Sequence, residues 1–299
     1  MVYVLANTGG VKGFREYVGF LFRMFSDRNI LPLPSGVRQS AASAIALLRA
    51  PFVYKKYRLI GGSPLVDQMR VQAHLLEGIV KEKVYVGCLY TRPFLSDLLK
   101  GLDDLDVSVI PMYPHYSVTT TGSVVDVVKG CRGWRRVRLL RGYGDHPLFV
   151  EAWAEAIEEI YGGEYLLFVA HGVPVNVAVR DGYYREVLRS CRLIAEAVGV
   201  EEYRVAFQSR IGPVEWVKPY VEDVLADLAA HGVDGVLVVP VSFLNEHLET
   251  LYDVDIEMRG LAEELGIGHF KRVRVPWSSE KILRCWLEAL KEDERCMML

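Results

Sequence analysis

The residues with most potential for chemistry lie in the stretch NEHLETLYDVDIEM (245–258). It holds five carboxylates and one histidine but no lysine or arginine. Apolar residues recur in and around it at spacings of three, four or seven, which predicts a helix over 246–265. On an α-helix Glu249, Asp253 and Glu257 share one stripe, four residues apart. Like charges at that spacing cost roughly 0.2–0.5 kcal/mol per pair, so the lack of cations needs an explanation.

His171 is the second candidate. The stretch AHGVP (170–174) places it at the end of an apolar run, where a doubly wound fold positions its ligand-binding groups. The acidic helix also follows an apolar run, 235–243, so we expect His171 and Glu249 to face one crevice from neighbouring strands. A neutral imidazole with carboxylates suits a divalent transition metal such as Fe²⁺ or Zn²⁺, and the pair can also accept protons. Two plainer interpretations stay open: a structural histidine, and acids that are only solvated.

Two further turns carry polar and aromatic residues. QSRIGPVEW (208–216) contains Ser209 and Trp216, and this indole is either simply packed or a flat wall for an aromatic ligand. YPHYSVTTTGS (113–123) suits either a hydrogen-bonding loop for carboxylates or phosphates, or a plain helix-capping loop. The residues alone therefore predict a metal or acid–base site with aromatic walls, without choosing the reaction.

Short β-rich runs alternate with amphipathic segments of helical length. The predicted strands are 2–7, 84–90, 107–113, 165–171, 203–209 and 235–243. The predicted helices are 65–82, 92–103, 147–161, 184–199, 217–231 and 246–265. Nearly continuous apolar strands separated by helices are typical of parallel sheets covered on both faces, which predicts an α/β fold.

The strand pattern repeats, which predicts two similar doubly wound, Rossmann-like halves. The polar segment RGYGDHP (141–147) marks the boundary, giving halves 1–145 and 146–299. The first half is longer because of an extra segment, about 20–60. Its stretch 31–52 mixes prolines with small and apolar residues. It is either an ordinary covering helix, or an apolar lip that covers a flat ligand and itself rests on a bilayer.

Composition narrows the classes of partner and compartment. The net charge of −3 gives no global case for nucleic acid as a partner. One basic cluster, KGCRGWRRVRLLR (129–141), is interpreted as a solvated strand edge, with RNA or phosphate binding as the alternative. The longest apolar runs are under half a membrane span, and no signal-peptide pattern opens the chain. We therefore expect a cytoplasmic protein that is at most peripheral to a membrane.

Together these stretches resemble the ferrochelatase family. The resemblance covers nearly the whole chain and includes RMFSDRNILPLP, YRLIGGSPL, YVGCLYTRPF, YPHYSVTTTGS, AHGVP, QSRIGPVEW and FLNEHLETLYDVDIE. It implies a lyase-class chelatase that inserts Fe²⁺ into protoporphyrin IX, forming protohaem and releasing two protons. It also implies two α/β halves with the porphyrin between them, covered by apolar lips. It leaves the oligomeric state open.

The resemblance also implies roles for particular residues. It makes His171 and Glu249 catalytic. It assigns metal contacts to His171, Glu249, Asp253 and Glu257. It assigns porphyrin contacts to Thr8, Tyr113, Ser209, Trp216 and His247. No prosthetic group is implied, since iron is a substrate. Cys285 and Cys296 are too few and too far apart for the cysteine set of the cluster-bearing members, so we predict no iron–sulfur cluster.

A mechanism follows as a hypothesis from the resemblance. His171 would lie on one face of the porphyrin, accepting protons or touching the metal. Glu249 would lie on the other side, with Asp253 and Glu257 behind it as a path for the cation or the protons. Cations along that path would neutralise it, which would explain their absence. Two alternatives stay open: a chelatase that loads cobalt, nickel or zinc into coproporphyrin or a sirohydrochlorin-type substrate, and a non-catalytic porphyrin or haem carrier.

Overall fold

The computed structural model describes residues 1–102, 104–131, 135–210 and 214–299. Its strands are β1 (Val2–Asn7), β2 (Lys83–Cys88), β3 (Asp106–Pro111), β4 (Arg136–Leu140), β5 (Tyr165–His171), β6 (Tyr203–Gln208), β7 (Gly235–Val239), β8 (His269–Arg272) and β9 (Cys296–Met298). Its α-helices are α1 (Phe14–Ser26), α2 (Ser35–Leu59), α3 (Leu65–Val80), α4 (Leu95–Leu99), α5 (Ser123–Gly130), α6 (Pro147–Glu158), α7 (Val175–Asp181), α8 (Tyr183–Val198), α9 (Val221–Ala230), α10 (Arg259–Glu264) and α11 (Glu280–Ala289). Two π-helices, here π1 (Val118–Gly122) and π2 (Glu249–Met258), and a short 3₁₀ helix (Asp293–Arg295) complete the set.

The first of two compact units contains Met1–Tyr113, Val118–Arg141 and Trp286–Leu299. Its sheet has the strand order β2-β1-β3-β4-β9, in which every pairing except that of β9 is parallel. Val4, Val109 and Leu139 lie side by side in three neighbouring strands and are completely buried. Leu5 and Ile110, the next paired positions along β1 and β3, lie on the opposite face and are also completely buried. The sheet is therefore covered on both faces, as its apolar strands predict.

The second unit contains Pro114–Ser117 and Gly142–Cys285. Its sheet is entirely parallel, with the order β6-β5-β7-β8. Leu166 in β5 and Leu237 in β7 are paired neighbours without exposed surface. The predicted α/β class with parallel sheets in two halves is confirmed.

The unit composition differs from the predicted halves in two segments, since Pro114–Ser117 groups with the second unit and the C-terminal segment with the first. The predicted boundary after residue 145 lies close to the Arg141/Gly142 division. The last segment, Trp286–Leu299, was assigned to the second half, but it groups with the first unit. The reason is that β9 pairs antiparallel with β4, from Arg138 opposite Met298 to Leu140 opposite Cys296.

The strands that the sequence pattern did not predict are β4, β8 and β9. In β8 (HFKR) exposed and buried residues alternate, and β4 (RVRLL) has arginines at its first and third positions. Neither forms the continuous apolar run that marks a central parallel strand. In the basic cluster 129–141, Arg135 pairs with Asp106 and Arg138 with Asp293, while residues 132–134 lie outside the described part.

The helix predicted over 246–265 has a different geometry. Its first part is π2, whose turns close with i→i+5 hydrogen bonds, and only its last part, α10, is α-helical. The buried side is formed by Thr250, Val254, Met258 and Ala262 rather than by the leucines. The expected stripe of acids is therefore wound on a wider turn than the α-helical prediction assumed.

The extra segment of the first half is the long helix α2. Ala42, Ala46 and Ala50, four residues apart, are buried where α2 packs on α1. Other apolar side chains of α2 are exposed; Leu48 and Phe52 each keep 72% of their surface accessible. Among the described residues no helix is both long enough and apolar enough to cross a membrane.

Candidate active site

The site in the second unit is built around His171, the last residue of β5. This strand lies between β6 and β7, so side chains at its end meet those that follow both neighbours. The backbone N–H of His171 donates to Ser242 Oγ at 2.9 Å, and the hydroxyl of Tyr183 donates to its carbonyl at 2.8 Å. The main chain is thus held on both sides of the imidazole.

His171 and Glu249 are in direct contact. Glu249 is the first residue of π2, after β7, and its Oε2 lies 2.7 Å from His171 Nδ1. The expectation that the two residues face each other from neighbouring strands agrees with this geometry. The side chains keep 37% and 26% of their surface exposed, so both remain accessible to a ligand.

This contact contradicts the expected placement of the two groups on opposite faces of a porphyrin. A separation of 2.7 Å between hydrogen-bonded atoms leaves no space for a macrocycle between them. The opposite-face hypothesis is therefore wrong for this geometry, in which His171 and Glu249 form one hydrogen-bonded pair.

Glu249 is held by three donors that converge on one oxygen. Besides His171 Nδ1, Oε2 accepts hydrogen bonds from Ser209 Oγ at 2.9 Å and Gln208 Nε2 at 3.1 Å. Ser209 has a φ of 71°, a left-handed conformation uncommon for residues other than glycine. Such strain is typical of functional sites. Within the described part of the chain, no group donates to the other oxygen, Oε1.

The electrostatics of the pair favour opposite charges. Burial alone would raise the pKa of the Glu249 carboxyl, but the charge and hydrogen bond of His171, together with the Gln208 hydrogen bond, outweigh it and hold that pKa well below its usual range. For His171, burial lowers the pKa. The charge and hydrogen bond of Glu249, with a contribution from Asp253, raise it by a larger amount, so the net shift is upward. Nδ1 carries the proton donated to Glu249, so Nε2 is the nitrogen open to a reaction.

His247 lies two residues before π2, and its side chain bonds the main chain of Glu249 rather than its carboxylate. Its Nδ1 accepts a hydrogen bond from the backbone N–H of Glu249 at 3.0 Å, which places the ring proton on Nε2. Burial lowers the pKa of His247, so the ring is neutral. The imidazole packs edge-on against Phe243, with ring centroids 4.6 Å apart.

Asp253 and Glu257 do not join the pair in one ligand cluster. Asp253 is half-buried and close enough to raise the pKa of His171, whereas Glu257 is exposed. Across the described ranges, no group of three or more His, Cys, Asp or Glu side chains is arranged to hold a metal ion. The predicted metal contacts thus form a close pair followed by two more distant acids.

Trp216 lies beside the histidine through a short backbone bridge. Val217 N–H donates to Val173 O at 3.1 Å, and Trp216 forms an antiparallel bridge with Pro174. A Cβ on Gly172 would lie 3.5 Å from Trp216 Cε3 and 2.5 Å from the Gln208 carbonyl oxygen. Only glycine therefore allows β5 and β6 to approach here. Residues 211–213 of the predicted turn lie outside the described part.

Thr8 and Tyr113 lie together in the first unit. Thr8 follows β1, and its N–H and hydroxyl both donate to Asn7 Oδ1, at 2.7 and 3.2 Å. Its carbonyl accepts from Tyr90 N–H at 3.0 Å. The hydroxyl of Tyr113 is buried beside Thr8, and burial raises its pKa.

The rest of the stretch 113–123 divides between the units. In Pro114–Ser117, which belongs to the second unit, His115 Nε2 lies 2.8 Å from Ser190 Oγ. Burial lowers the pKa of His115 to about 3, so it is a neutral, packed residue. The hydroxyl run that follows forms π1 in the first unit.

Two residues of the site were missed by sequence reasoning. Gln208 precedes Ser209, and its amide was not considered as a partner of Glu249. Arg272, on β8, supplies the cation that the acidic stretch lacks: it contacts Asp255 and Glu246. The only signal in the sequence is a lone arginine in HFKR, a short alternating run without the continuous apolar pattern of a buried strand.

Comparison with solved structures defines the class of fold. The sirohydrochlorin chelatase SirB from Bacillus subtilis subspecies spizizenii, in complex with cobalt, matches with a TM-score of 0.56 at 13% identity, over 76% of this chain and 88% of that one. CbiX, described as the terminal enzyme for biosynthesis of siroheme in denitrifying bacteria, matches with a TM-score of 0.54 at 15% identity, over 97% of each chain. At such identities the similarity shows the fold alone, which is that of the chelatases.

Sequence comparison defines the family. The family model described as Ferrochelatase matches residues 3–294. A ferrochelatase of Picosynechococcus sp. is 37% identical over 297 residues, which cover 90% of this chain and 76% of that protein. A ferrochelatase of Gloeothece citriformis is 36% identical with the same coverage. The chain belongs to the ferrochelatase family, which are porphyrin metal chelatases of the lyase class.

Proposed function

We propose that this protein inserts Fe²⁺ into protoporphyrin IX, forming protohaem and releasing two protons. Membership of the ferrochelatase family supports this activity. The observation that carries the mechanism is the hydrogen-bonded His171–Glu249 pair, which leaves one nitrogen and one carboxylate oxygen open. Insertion replaces two pyrrole N–H protons with one Fe²⁺, so the site needs a proton acceptor and metal-binding groups.

His171 is the proton acceptor in this proposal. With Nδ1–H donated to Glu249, the lone pair of Nε2 is available to take a pyrrole proton. The imidazolium that forms is stabilised by the carboxylate 2.7 Å away. The raised pKa of His171 supports this role, because the Glu249 charge and hydrogen bond outweigh burial and favour the charged form.

Glu249 acts as the counter-charge rather than as a proton store. Because the pKa of its carboxyl lies well below the usual range, a proton placed on it at neutral pH would leave at once. Its open Oε1 is instead proposed to contact Fe²⁺, together with His171 Nε2 before that nitrogen takes up the pyrrole proton, since its single lone pair cannot bind both at once; imidazole and carboxylate are suitable ligands for this ion. Asp253, and then the exposed Glu257, provide a route for the cation or the second proton.

Porphyrin binding is proposed to use residues of both units. Thr8 and Tyr113 are the contacts proposed in the first unit, and Ser209, Trp216 and His247 those in the second. Ser209 also donates to Glu249, so it links the porphyrin contact to the acidic group. The pyrrole nitrogens bind a metal more readily when the flat macrocycle is bent, and tighter binding of that bent form lowers the barrier.

The first test is an anaerobic mixture of the protein, protoporphyrin IX and Fe²⁺, followed by porphyrin fluorescence and haem absorbance. The proposal expects catalytic haem formation that His171→Ala abolishes. Stoichiometric binding without turnover, equal in both proteins, would indicate a porphyrin or haem carrier. Faster turnover with cobalt, nickel or zinc, or with coproporphyrin or sirohydrochlorin, would indicate a different chelatase.

Peripheral contact with a membrane through 31–52 is a further part of the proposal, together with a cytoplasmic location. The supporting observation is α2, on which Leu47, Leu48 and Phe52 are exposed among the cations Arg49 and Lys55. Apolar side chains flanked by cations favour the surface of an anionic bilayer. Flotation with anionic phospholipid vesicles tests it: Leu48→Glu/Phe52→Glu should release the protein, and equal flotation of both proteins would contradict the contact.

A further inference from the structure

Arg272 connects two carboxylates that lie on either side of Glu249 in the chain. Its Nε and Nη2 each lie 2.7 Å from an oxygen of Asp255, and its Nη1 lies 2.9 and 3.1 Å from the two oxygens of Glu246. Glu246 also accepts a hydrogen bond from Val275 N–H at 3.2 Å. The arginine and Glu246 side chains are only 3% and 4% exposed.

The location of these contacts matters more than their number. Glu246 precedes π2 and Asp255 lies within it, so one guanidinium ties both the approach to the π-helix and its middle to β8. Glu249, the first residue of π2, lies between the two attachment points. Arg259 adds a separate attachment at the far end, since its Nη1 donates to Phe270 O at 2.8 Å.

A π-helix is rare and less regular than an α-helix, so its register needs support from neighbouring groups. Arginine suits this task because its planar fork can bond two carboxylates at once, whereas a lysine ammonium acts as a single point charge. The arrangement also explains the acidic stretch without cations. Two of its five carboxylates face a cation from another strand, while the stripe of Glu249, Asp253 and Glu257 keeps its negative charge.

We propose that Arg272 is a positioning residue for metal insertion: by holding Glu246 and Asp255 it fixes the start of π2 and so aims Glu249 at His171. This inference rests on the proposed function for its kinetic consequence, but not for its structural one. Arg272 touches neither His171 nor Glu249, and it acts only through the backbone between its two partners.

The test must separate positioning from simple stability. Removing Arg272 alone would take the cation from two carboxylates, of which Glu246 is only 4% exposed, and this destabilises a protein strongly; neutralising all three partners together avoids that penalty. The main variant is therefore Glu246→Gln/Asp255→Asn/Arg272→Met. We expect it to fold with a Tm close to that of the parent, but to lose roughly tenfold to a hundredfold in kcat, because small misplacements of catalytic groups are costly.

Three further readouts decide the outcome. The KM for protoporphyrin IX should change by less than about twofold, since the porphyrin contacts remain. Backbone amide exchange, measured without porphyrin or metal, should quicken across 249–258 but stay unchanged across 221–230. This exchange result stands even if the protein inserts no iron, so failure of the proposed function and failure of the positioning role are distinguishable.

Matched variants complete the experiment. Arg204→Met/Asp227→Asn removes another strand-to-helix ion pair of the same unit, with a separation of 3.2 Å, and should leave kcat within about twofold. Arg272→Lys keeps the charge but loses the fork, and should lower kcat even if the triple variant does not fold. Parental kcat and parental exchange over 249–258 in either Arg272 variant would overturn the proposal.

Discussion

The two units share one scaffold but carry different chemistry. The order β2-β1-β3-β4 in the first corresponds to β6-β5-β7-β8 in the second. In each unit the third strand along the chain is followed by a π-helix, then an α-helix, then the fourth strand. Even the turn after the second strand is shared, since Cys88 N–H donates to Pro93 O and Phe207 N–H to Pro219 O.

The residues at corresponding positions differ. The first strand of the first unit leads into Thr8 and Gly9, and that of the second unit ends at His171, which Gly172 follows. The short π1 carries hydroxyls, in the sequence VTTTG, whereas π2 carries Glu249, Asp253 and other acids. The shared backbone pattern thus places side chains at corresponding points, and the proposed proton acceptance and metal binding of the second unit rest on residue type.

The largest expected effect comes from replacing each of the two residues at corresponding positions, His171 and Thr8, with alanine. His171→Ala removes the proposed proton acceptor and should lower the rate of haem formation by about 10²–10⁴-fold. Thr8→Ala removes hydrogen bonds of neutral groups and should cost less than about tenfold. Initial rates under anaerobic conditions measure both. Equal losses in the two variants would show that the chemistry is not confined to the second unit.

The next test removes the charge that defines the reacting pair. Glu249→Gln keeps the shape but not the counter-charge, and should lower kcat by roughly 10–100-fold, as is typical when the partner of a functional histidine is lost. It should also move the pH profile. In the parent, insertion should fall as pH drops through the raised pKa of His171, which lies above 6.5.

The direction of that pH shift follows from the causes of the pKa. Without the Glu249 charge, burial dominates and lowers the pKa of His171, so the acid limb of kcat should move to lower pH. Thr120→Ala, a change in the hydroxyl-bearing π1, is the matched control and should leave the limb in place. If the acid limb of the kcat–pH profile stays at the same pH in Glu249→Gln, His171 is not the group whose protonation lowers kcat.

Gly172, which follows His171, and Gly9, which follows Thr8, allow a comparison with smaller expected effects that differ in kind between the units. Gly172→Ala would place a Cβ 2.5 Å from the Gln208 carbonyl oxygen, so β5 and β6 must separate where they hold Glu249. Gly9→Ala would strain a backbone with a φ of +98° and crowd Thr91. Each should cost about 1–3 kcal/mol of stability. We expect Gly172→Ala to lower kcat and Gly9→Ala to raise KM; the reverse pattern would contradict the assignment.

Sequence reasoning predicted the scaffold and the central pair for physical reasons that are local. Apolar runs mark strands buried on both faces, and strand ends in a doubly wound sheet converge, so His171 and Glu249 could be placed near each other. Their direct hydrogen bond could not be predicted, because a distance of a few ångströms depends on tertiary packing. The π-helix was missed because its apolar spacing also fits an α-helix. Arg272 was missed because edge strands with alternating exposure lack an apolar run.

The smallest expected effect is on the pH dependence of stability. As pH rises through the pKa of His171, stability should decrease while activity increases. The pKa of His171 is raised above 6.5, so its contribution to stability is complete below pH 6.5 and is lost as pH rises through the folded-state pKa. The pKa of Glu249 is depressed below 4.5, so its contribution is complete above pH 4.5 and is lost as pH falls through the folded-state pKa. Both net pKa shifts arise chiefly from the His171–Glu249 contact. This contact therefore stabilises the protein most at pH values between the folded-state pKa of Glu249 and that of His171.

Insertion, by contrast, needs a neutral His171 and should increase as pH rises above that window. Thermal unfolding from pH 5 to 8 should therefore show the parent losing a small stabilisation that His171→Gln lacks, over the same range in which parental activity increases. Because the side chains are partly exposed, the difference in Tm should be modest and should shrink in salt. A parental Tm that tracks the variant across this range would show that the pair contributes no charge interaction, and the second unit would then differ from the first only in shape.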